Sequence, residues 1–340
     1  MYSFRNDYSE CCHPAILERL SALGTQANPG YGTDSCCAAA AGKIRSLIQC
    51  PDAAVHFLIG GTQANMTIID ALLRPFEAVI AAESGHIHVH ETGAVEGTGH
   101  KVLTAPGADG KLTPAMILRI LDSHMDEHMV KPRMVYVSDS TELGTIYTRA
   151  ELTAISDLCR EHGLLLFLDG ARIGAALCAR GNDLTFADLP RLCDVFYIGG
   201  TKNGALLGEA VVFADPELAR DFRYQIKHRG GMLAKGFLLG LNFDVLFTDN
   251  LYMRLAERAQ CLAVRLRDGL AARGVPFLVD SPTNQLFPVF PNEELPALAQ
   301  AFSYEVSGAV DETHTCIRLV TSWATTEEAV DAFLAAVHSR

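Results

Sequence analysis

Seven short apolar runs, separated by stretches of helical periodicity, leave this 340-residue chain few folds to choose from. The runs occupy 55–59, 78–82, 101–104, 133–138, 164–168, 195–198 and 210–214 and are rich in Val, Ile, Leu, Phe and Tyr. They are too short for helices and too uniformly apolar for strands with one wet face. Apolar residues at three- and four-residue spacing in 62–73, 113–128 and 149–162 supply the intervening helices. Strands buried on both faces with helices between them predict an α/β fold around a mostly parallel seven-stranded sheet. In such sheets ligands bind where strands end and loops lead to the next helix.

The flanks read differently. Residues 1–12 form an arm without an element of its own, followed by a helix over 14–23. A Gly- and Pro-rich loop, Asn28 to Asp34, then leads to a helix capped by Asp34 or Ser35 that runs to about Ile48. Beyond Phe243 the alternation stops. Leu251, Leu255, Ala259, Leu262, Leu266 and Leu270 lie on one face of a long helix. Short strands at 277–279, 286–290 and 316–320 and a helix over 327–337 follow. The organisation predicted is an arm (1–12), a large domain (13–247) and a smaller C-terminal α+β domain (248–340).

Composition excludes several classes of function. A net charge of −12 lacks the basic face that phosphate backbones require, so nucleic acid is not an expected partner. No stretch of 18 uninterrupted apolar residues suggests a membrane span. The start, Met-Tyr-Ser-Phe-Arg-Asn-Asp, has neither the basic nor the apolar part of a secretory signal. Ten cysteines with no C-x-x-C pair then read as reduced thiols, and the expected compartment is the cytoplasm.

Chemistry concentrates after three strands. Lys202 lies in a Gly-rich turn with no charged neighbour from Val195 to Leu207. A cation so placed points into an apolar pocket, where desolvation favours the neutral, nucleophilic amine; the ordinary alternative is a turn lysine. Asp169 directly follows five apolar residues, and a carboxylate at a buried strand end needs a cationic partner. Arg172 is one candidate and a protonated heterocyclic nitrogen the other. Gly60, Gly61 and Thr62 open a helix, where free N–H groups and the dipole favour phosphate, although an ordinary tight turn reads the same way. A phosphate loop, a strand-end aspartate and a pocket lysine, in that order, match the needs of pyridoxal 5′-phosphate.

With His86-x-x-x-x-Glu91, Phe4-Arg5-Asn6-Asp7, Tyr31-Gly32-Thr33-Asp34 and Ile317-Arg318-Leu319-Val320-Thr321, these motifs resemble the L-threonine aldolases among the aspartate-aminotransferase-like (fold type I) pyridoxal enzymes. The resemblance covers nearly the whole chain; its most specific parts are Leu168-Asp169-Gly170-Ala171-Arg172 and Gly199-Gly200-Thr201-Lys202-Asn203-Gly204. It implies that Lys202 bonds the cofactor and Asp169 pairs with its ring nitrogen. It further implies that His86 stacks on the ring and can act in proton transfer, and that Gly61 and Thr62 hold the phosphate. Arg172 and Arg318 receive the substrate carboxylate, with Asn6 and Tyr31 lining that site. The implied reaction is retro-aldol cleavage of threonine-like β-hydroxy amino acids to glycine and an aldehyde, in a homotetramer whose active sites are each built from two subunits. β-Elimination, transamination and a noncatalytic binding role are the competing readings.

Two departures from the family pattern stand out. Thr141 occupies the place where many members carry a histidine thought to deprotonate the β-hydroxyl, as in a branch of low-specificity aldolases. His86, water or the cofactor phosphate is left as the base. At Gly230-Gly231-Met232-Leu233 an arginine common among relatives is missing, and Lys227, Arg229 or Lys235 is expected to supply its charge. His86, His88 and His90 alternate as a metal-binding strand would present them, but Glu91 to Glu96 continue more like a helix, so no metal site is expected.

Overall fold

A computed structural model describes residues 1–338 of the chain. The arm is not featureless: β1 (Tyr2–Ser3) pairs in parallel with Phe302–Ser303, and Phe4 behind it is fully buried. Phe4 packs edge-on against Phe333 with ring centroids 5.4 Å apart, which is what anchors so short a strand.

The seven apolar runs become β2 (Ala54–Leu58), β3 (Glu77–Ala82), β4 (Val102–Ala105), β5 (Lys131–Ser138), β6 (Leu165–Asp169), β7 (Val195–Gly199) and β8 (Glu209–Phe213). They form one sheet in the order β2-β8-β7-β6-β5-β3-β4. β7, β6, β5, β3 and β4 are mutually parallel, whereas β8 runs antiparallel to both β7 and β2. Both sheet faces are covered. Ile80, Val135, Leu166 and Phe196 point into one core, and their neighbours Val79, Met134, Phe167 and Val195 into the other. The two-residue period of a strand therefore serves two cores at once.

The helix Ser35–Leu47 is capped by Asp34, whose Oδ1 accepts from the Cys37 N–H at 2.8 Å. It lies so close to the helix Phe237–Leu246 that a Cβ on Gly240 would be 2.5 Å from the Cys37 Cα. The expected helix over 113–128 is shorter, Pro114–Asp122. Ser123 ends it by bonding back to the Ile120 carbonyl, and beyond it Met125 is 80% exposed, so the apolar face does not continue.

The long helix Leu251–Ala271 begins in the first sheet core through Leu251, Tyr252 and Leu255 and ends in a separate core through Leu262, Leu266 and Leu270. That second body contains β9 (Gln285–Leu286), β10 (Val289–Pro291), β11 (Phe302–Ser303), β12 (Glu305–Ala309) and β13 (His314–Val320), with β13 antiparallel to β9, β10 and β12. The helix Glu327–Ala336 closes it. The run expected as one strand over 286–290 is split at Pro288, which has no N–H to give the ladder; its carbonyl accepts from Ile317 at 3.0 Å. The strand expected over 277–279 reduces to a bridge between Phe277 and Pro288. Among the described residues no helix is long and apolar enough to cross a membrane.

Candidate active site

The loops after β6 and β7 are pressed together by glycine. A Cβ on Gly199 would stand 2.3 Å from the Ala171 carbonyl oxygen, and one on Gly170 would clash with the Tyr197 carbonyl. This contact brings Lys202, in the turn between β7 and β8, into the surroundings of Asp169 and Arg172. Burial lowers the pKa of Lys202 and the Arg172 charge adds to that, against the opposing pull of Asp7, Glu142 and Asp169. The neutral amine is thus favoured relative to an ordinary lysine.

Asp169 ends β6 and is 4% exposed. Its Oδ1 accepts from the Ala171 N–H at 2.9 Å and from the Tyr197 hydroxyl; its Oδ2 accepts from the Tyr136 hydroxyl and from Asn65 Nδ2 at 3.2 Å. Asn65 also donates to Glu91 Oε1 at 2.7 Å, the oxygen that bonds His86 Nδ1 at 2.7 Å. His86 opens the one-turn helix His86–Val89, whereas Glu91 to Val95, expected to continue as a helix, form turns that lead into a 3-10 turn over Glu96–Thr98. Burial opposes a charged imidazole there, but the bond to Glu91 and the charges of Glu142, Asp169 and Glu91 outweigh it and raise the His86 pKa.

Gly61 and Thr62 open the helix Gly61–Leu72, whose N-cap Gly60 provides no side-chain cap. The first N–H groups of this helix remain available to an anion. A Cβ on Gly61 would lie 3.1 Å from the Tyr197 hydroxyl oxygen, so the same phenol sits against both the loop and Asp169.

Arg172 forms a two-pronged ion pair with Asp7, Nε to Oδ2 at 2.8 Å and Nη2 to Oδ1 at 3.0 Å, both residues buried. Asn284 Nδ2 adds a bond to Asp7 Oδ2 at 3.0 Å. The sequence offered Arg172 as the partner of Asp169; the structure pairs it with the arm instead. Arg318, on β13, buries its Nε without a hydrogen-bond partner. Asn6 turns its Oδ1 to the Tyr8 N–H and the Ser9 hydroxyl, beside Asp7 but engaged within the arm.

Tyr31 and Lys227 meet elsewhere, with the Lys227 Nζ 5.2 Å from the Tyr31 ring centroid. Neither has a described contact with Lys202, Asp169 or His86. Of the other cations expected near 230, Arg229 is held by Asp70, at 2.7 Å from Nη2, and Lys235 is exposed.

Several residues escaped the sequence reading. Tyr136 sits between Val135 and Val137 and Tyr197 between Phe196 and Ile198, both buried, and a phenol there needs a partner; that need was the available signal. Glu209, buried at the start of β8, accepts from the Gly200 N–H at 3.2 Å; burial lifts its pKa to about 8 despite the Lys202 charge. Glu142 sits in the turn after β5, close enough for its charge to act on Lys202, Arg172 and His86, and only the fold brings them together.

The subunit architecture is that of the aspartate-aminotransferase-like α/β proteins. An aspartate aminotransferase variant from Thermus thermophilus superposes with a TM-score of 0.72 at 16% identity, over 99% of this chain and 90% of that one. Within that fold class, the chain belongs to the beta-eliminating lyase family, whose sequence profile matches residues 8–293. It is 34% identical over 332 residues to a low specificity L-threonine aldolase from Pseudomonas sp., covering 96% of this chain and 93% of that protein. A second such aldolase, from Pseudomonas aeruginosa, is 35% identical over 285 residues, 83% of this chain and 82% of its own length. The structure of Leishmania major threonine aldolase matches with a TM-score of 0.97 and 47% identity, covering 98% of both chains.

Proposed function

We propose that this protein is a pyridoxal 5′-phosphate-dependent lyase that cleaves L-threonine, L-allo-threonine and related β-hydroxy-α-amino acids, phenylserine included, to glycine and an aldehyde. The observation that carries this reading is the setting of Lys202, half-buried in the turn after β7, among the buried Asp169 and Arg172 of the β6 end and Asp7 of the arm. The names of the relatives at 34 to 47% identity support the substrate class.

The residues present fit the cofactor. An uncapped helix start at Gly61 and Thr62 suits its phosphate, Asp169 its ring nitrogen, and Lys202 its aldehyde carbon. The buried, unpartnered Nε of Arg318 awaits an anion. When bound, the cofactor supplies an electron-accepting ring for the pair left at Cα as the Cα–Cβ bond breaks. Asp169, fixed at the strand end by its four donors, is the carboxylate that would keep the ring nitrogen protonated. His86, fixed by Glu91, would pack on the ring. Arg318 would bind the substrate carboxylate, and Arg172, with Nε and Nη2 held by Asp7, would offer its Nη1 to the same group. Asn6 borders that pocket from the arm.

Lys227 is the cation for the phosphate, since Arg229 is committed to Asp70. Lys227 lies against the Tyr31 ring, and in the homotetramer this reading includes, both residues would serve a site built from two subunits. Ten free thiols, several of them buried, fit a reducing cytoplasm. The test is a product assay with threonine, allo-threonine and phenylserine. Glycine with acetaldehyde or benzaldehyde is expected; a keto acid and ammonia would replace this reading with β-elimination.

A further inference from the structure

Thr141 stands where a base is needed, yet its hydroxyl is committed to the turn: Oγ1 lies 2.7 Å from Thr145 Oγ1 and accepts from the Thr145 N–H at 3.2 Å. A Cβ on Gly110 would stand only 3.1 Å from that oxygen, so the Thr141 side chain is walled in on this side. The Thr141 carbonyl accepts from Gln285 Nε2 at 3.3 Å, which fixes the turn from the C-terminal body. The next residue has the opposite character. Glu142 lines the same cleft as Ser84, Gly85, Tyr136 and Ser138, the wall formed by the end of β5 and the loop leading into His86. No hydrogen bond or ion pair restrains its carboxylate among the described residues. Its charge acts on three groups from three different elements: His86, Arg172 and Lys202. A half-buried carboxylate near these three groups, with no hydrogen bond to any of them, is free to take a proton from a ligand.

Resting on the aldolase reading above, we propose that Glu142 is the base that receives the β-hydroxyl proton of the substrate. The O–H bond breaks toward the Glu142 carboxylate and the oxygen's electron pair forms the carbonyl of the departing aldehyde. The Cα–Cβ pair stays with Cα, which is later protonated to give glycine. No oxidant or reductant enters. His86 is engaged otherwise, because its Nδ1 is held by Glu91 at 2.7 Å and its ring is assigned to packing on the cofactor. A carboxylate placed for the β-hydroxyl also selects for ligands that carry one.

The experiment uses the cofactor-loaded enzyme and the variants Glu142→Gln and Glu142→Ala. Two quantities are read: the ratio of threonine cleavage to α-hydrogen exchange of glycine, a reaction without a β-hydroxyl, and the preference for binding L-serine over L-alanine by calorimetry. In Glu142→Gln the cleavage-to-exchange ratio should fall about 10²–10⁴-fold. In Glu142→Ala the serine preference, expected to be roughly tenfold or more in the wild type, should vanish. An unchanged ratio removes Glu142 as the base, and a reduced ratio with the serine preference intact in both variants marks a merely structural role. Wild-type protein that exchanges glycine hydrogen but does not cleave threonine overturns the aldolase reading itself.

Discussion

Arg172 and Asp7 lie 165 positions apart in sequence and share two hydrogen bonds, of 2.8 and 3.0 Å, in a buried setting. The pair ties the N-terminal arm to the loop after β6. Removing one member strands a buried charge, which typically costs about 3–5 kcal/mol. Asp7→Ala should therefore lower the unfolding free energy by about that much, read from denaturant midpoints. Burial alone would raise the Asp7 pKa, but the charges of Arg172 and Lys202 prevail and hold it below the ordinary aspartate value. Its contribution is present above that ordinary value and is lost as pH falls through the lower folded one. The acid limb of the stability curve should accordingly be shallower in Asp7→Asn.

Borohydride treatment of the cofactor-loaded protein should attach a pyridoxyl group to Lys202, found by peptide mass. Lys202→Arg should bind the cofactor without becoming labelled, because the guanidinium stays protonated and does not attack carbonyls. Label at another lysine in the wild type would overturn the assignment.

His86 gives a pH signature of opposite sense to that of Asp7. Its folded pKa is raised, so its bond to Glu91 contributes fully below the unfolded imidazole value of about 6.5 and is lost as pH rises through the folded value. The stability difference between cofactor-free wild type and His86→Phe should therefore shrink with rising pH. Because the ring remains aromatic, kcat of His86→Phe should fall by less than about tenfold, well short of the ~10²–10⁴-fold expected for loss of a general base. A larger fall in kcat would return the base to His86.

Arg318→Leu should separate stability from function. The buried Nε has no partner, so replacing it should leave the cofactor-free protein as stable as the wild type or more so. Losing the carboxylate contact should cost about 1.5–3 kcal/mol in kcat/KM. A destabilised variant with unchanged kcat/KM would show that Arg318 serves the fold alone.

The sheet was legible because strands buried on both faces leave uninterrupted apolar runs, and all seven fall within two residues of the observed strands. Asp169 and Lys202 were legible because a carboxylate directly after such a run, and a lone cation in the glycine-rich turn after another, call for an explanation. The partner of Arg172 was not, since nothing local links 7 to 172. Tyr136 and Tyr197 passed as apolar strand residues, their hydroxyls counting for nothing until Asp169 was seen opposite both. Glu142 looked like one more polar residue in a turn. Its significance comes from the parallel pairing of β5 with β6 and of β6 with β7, which sets Ser138 beside Asp169 and brings the turns after all three strands to one end of the sheet.

The helix Leu251–Ala271 is a rod of about 30 Å with one end embedded in the sheet core and the other in the C-terminal core. Losing either core strips half of it, and the remaining half is too short to persist alone in water. The two cores therefore hold each other up, and calorimetry should record one melting transition rather than two. The same rod couples the loop that carries Lys202 to the strand that carries Arg318, so heat that loosens carboxylate binding should release the cofactor in the same step.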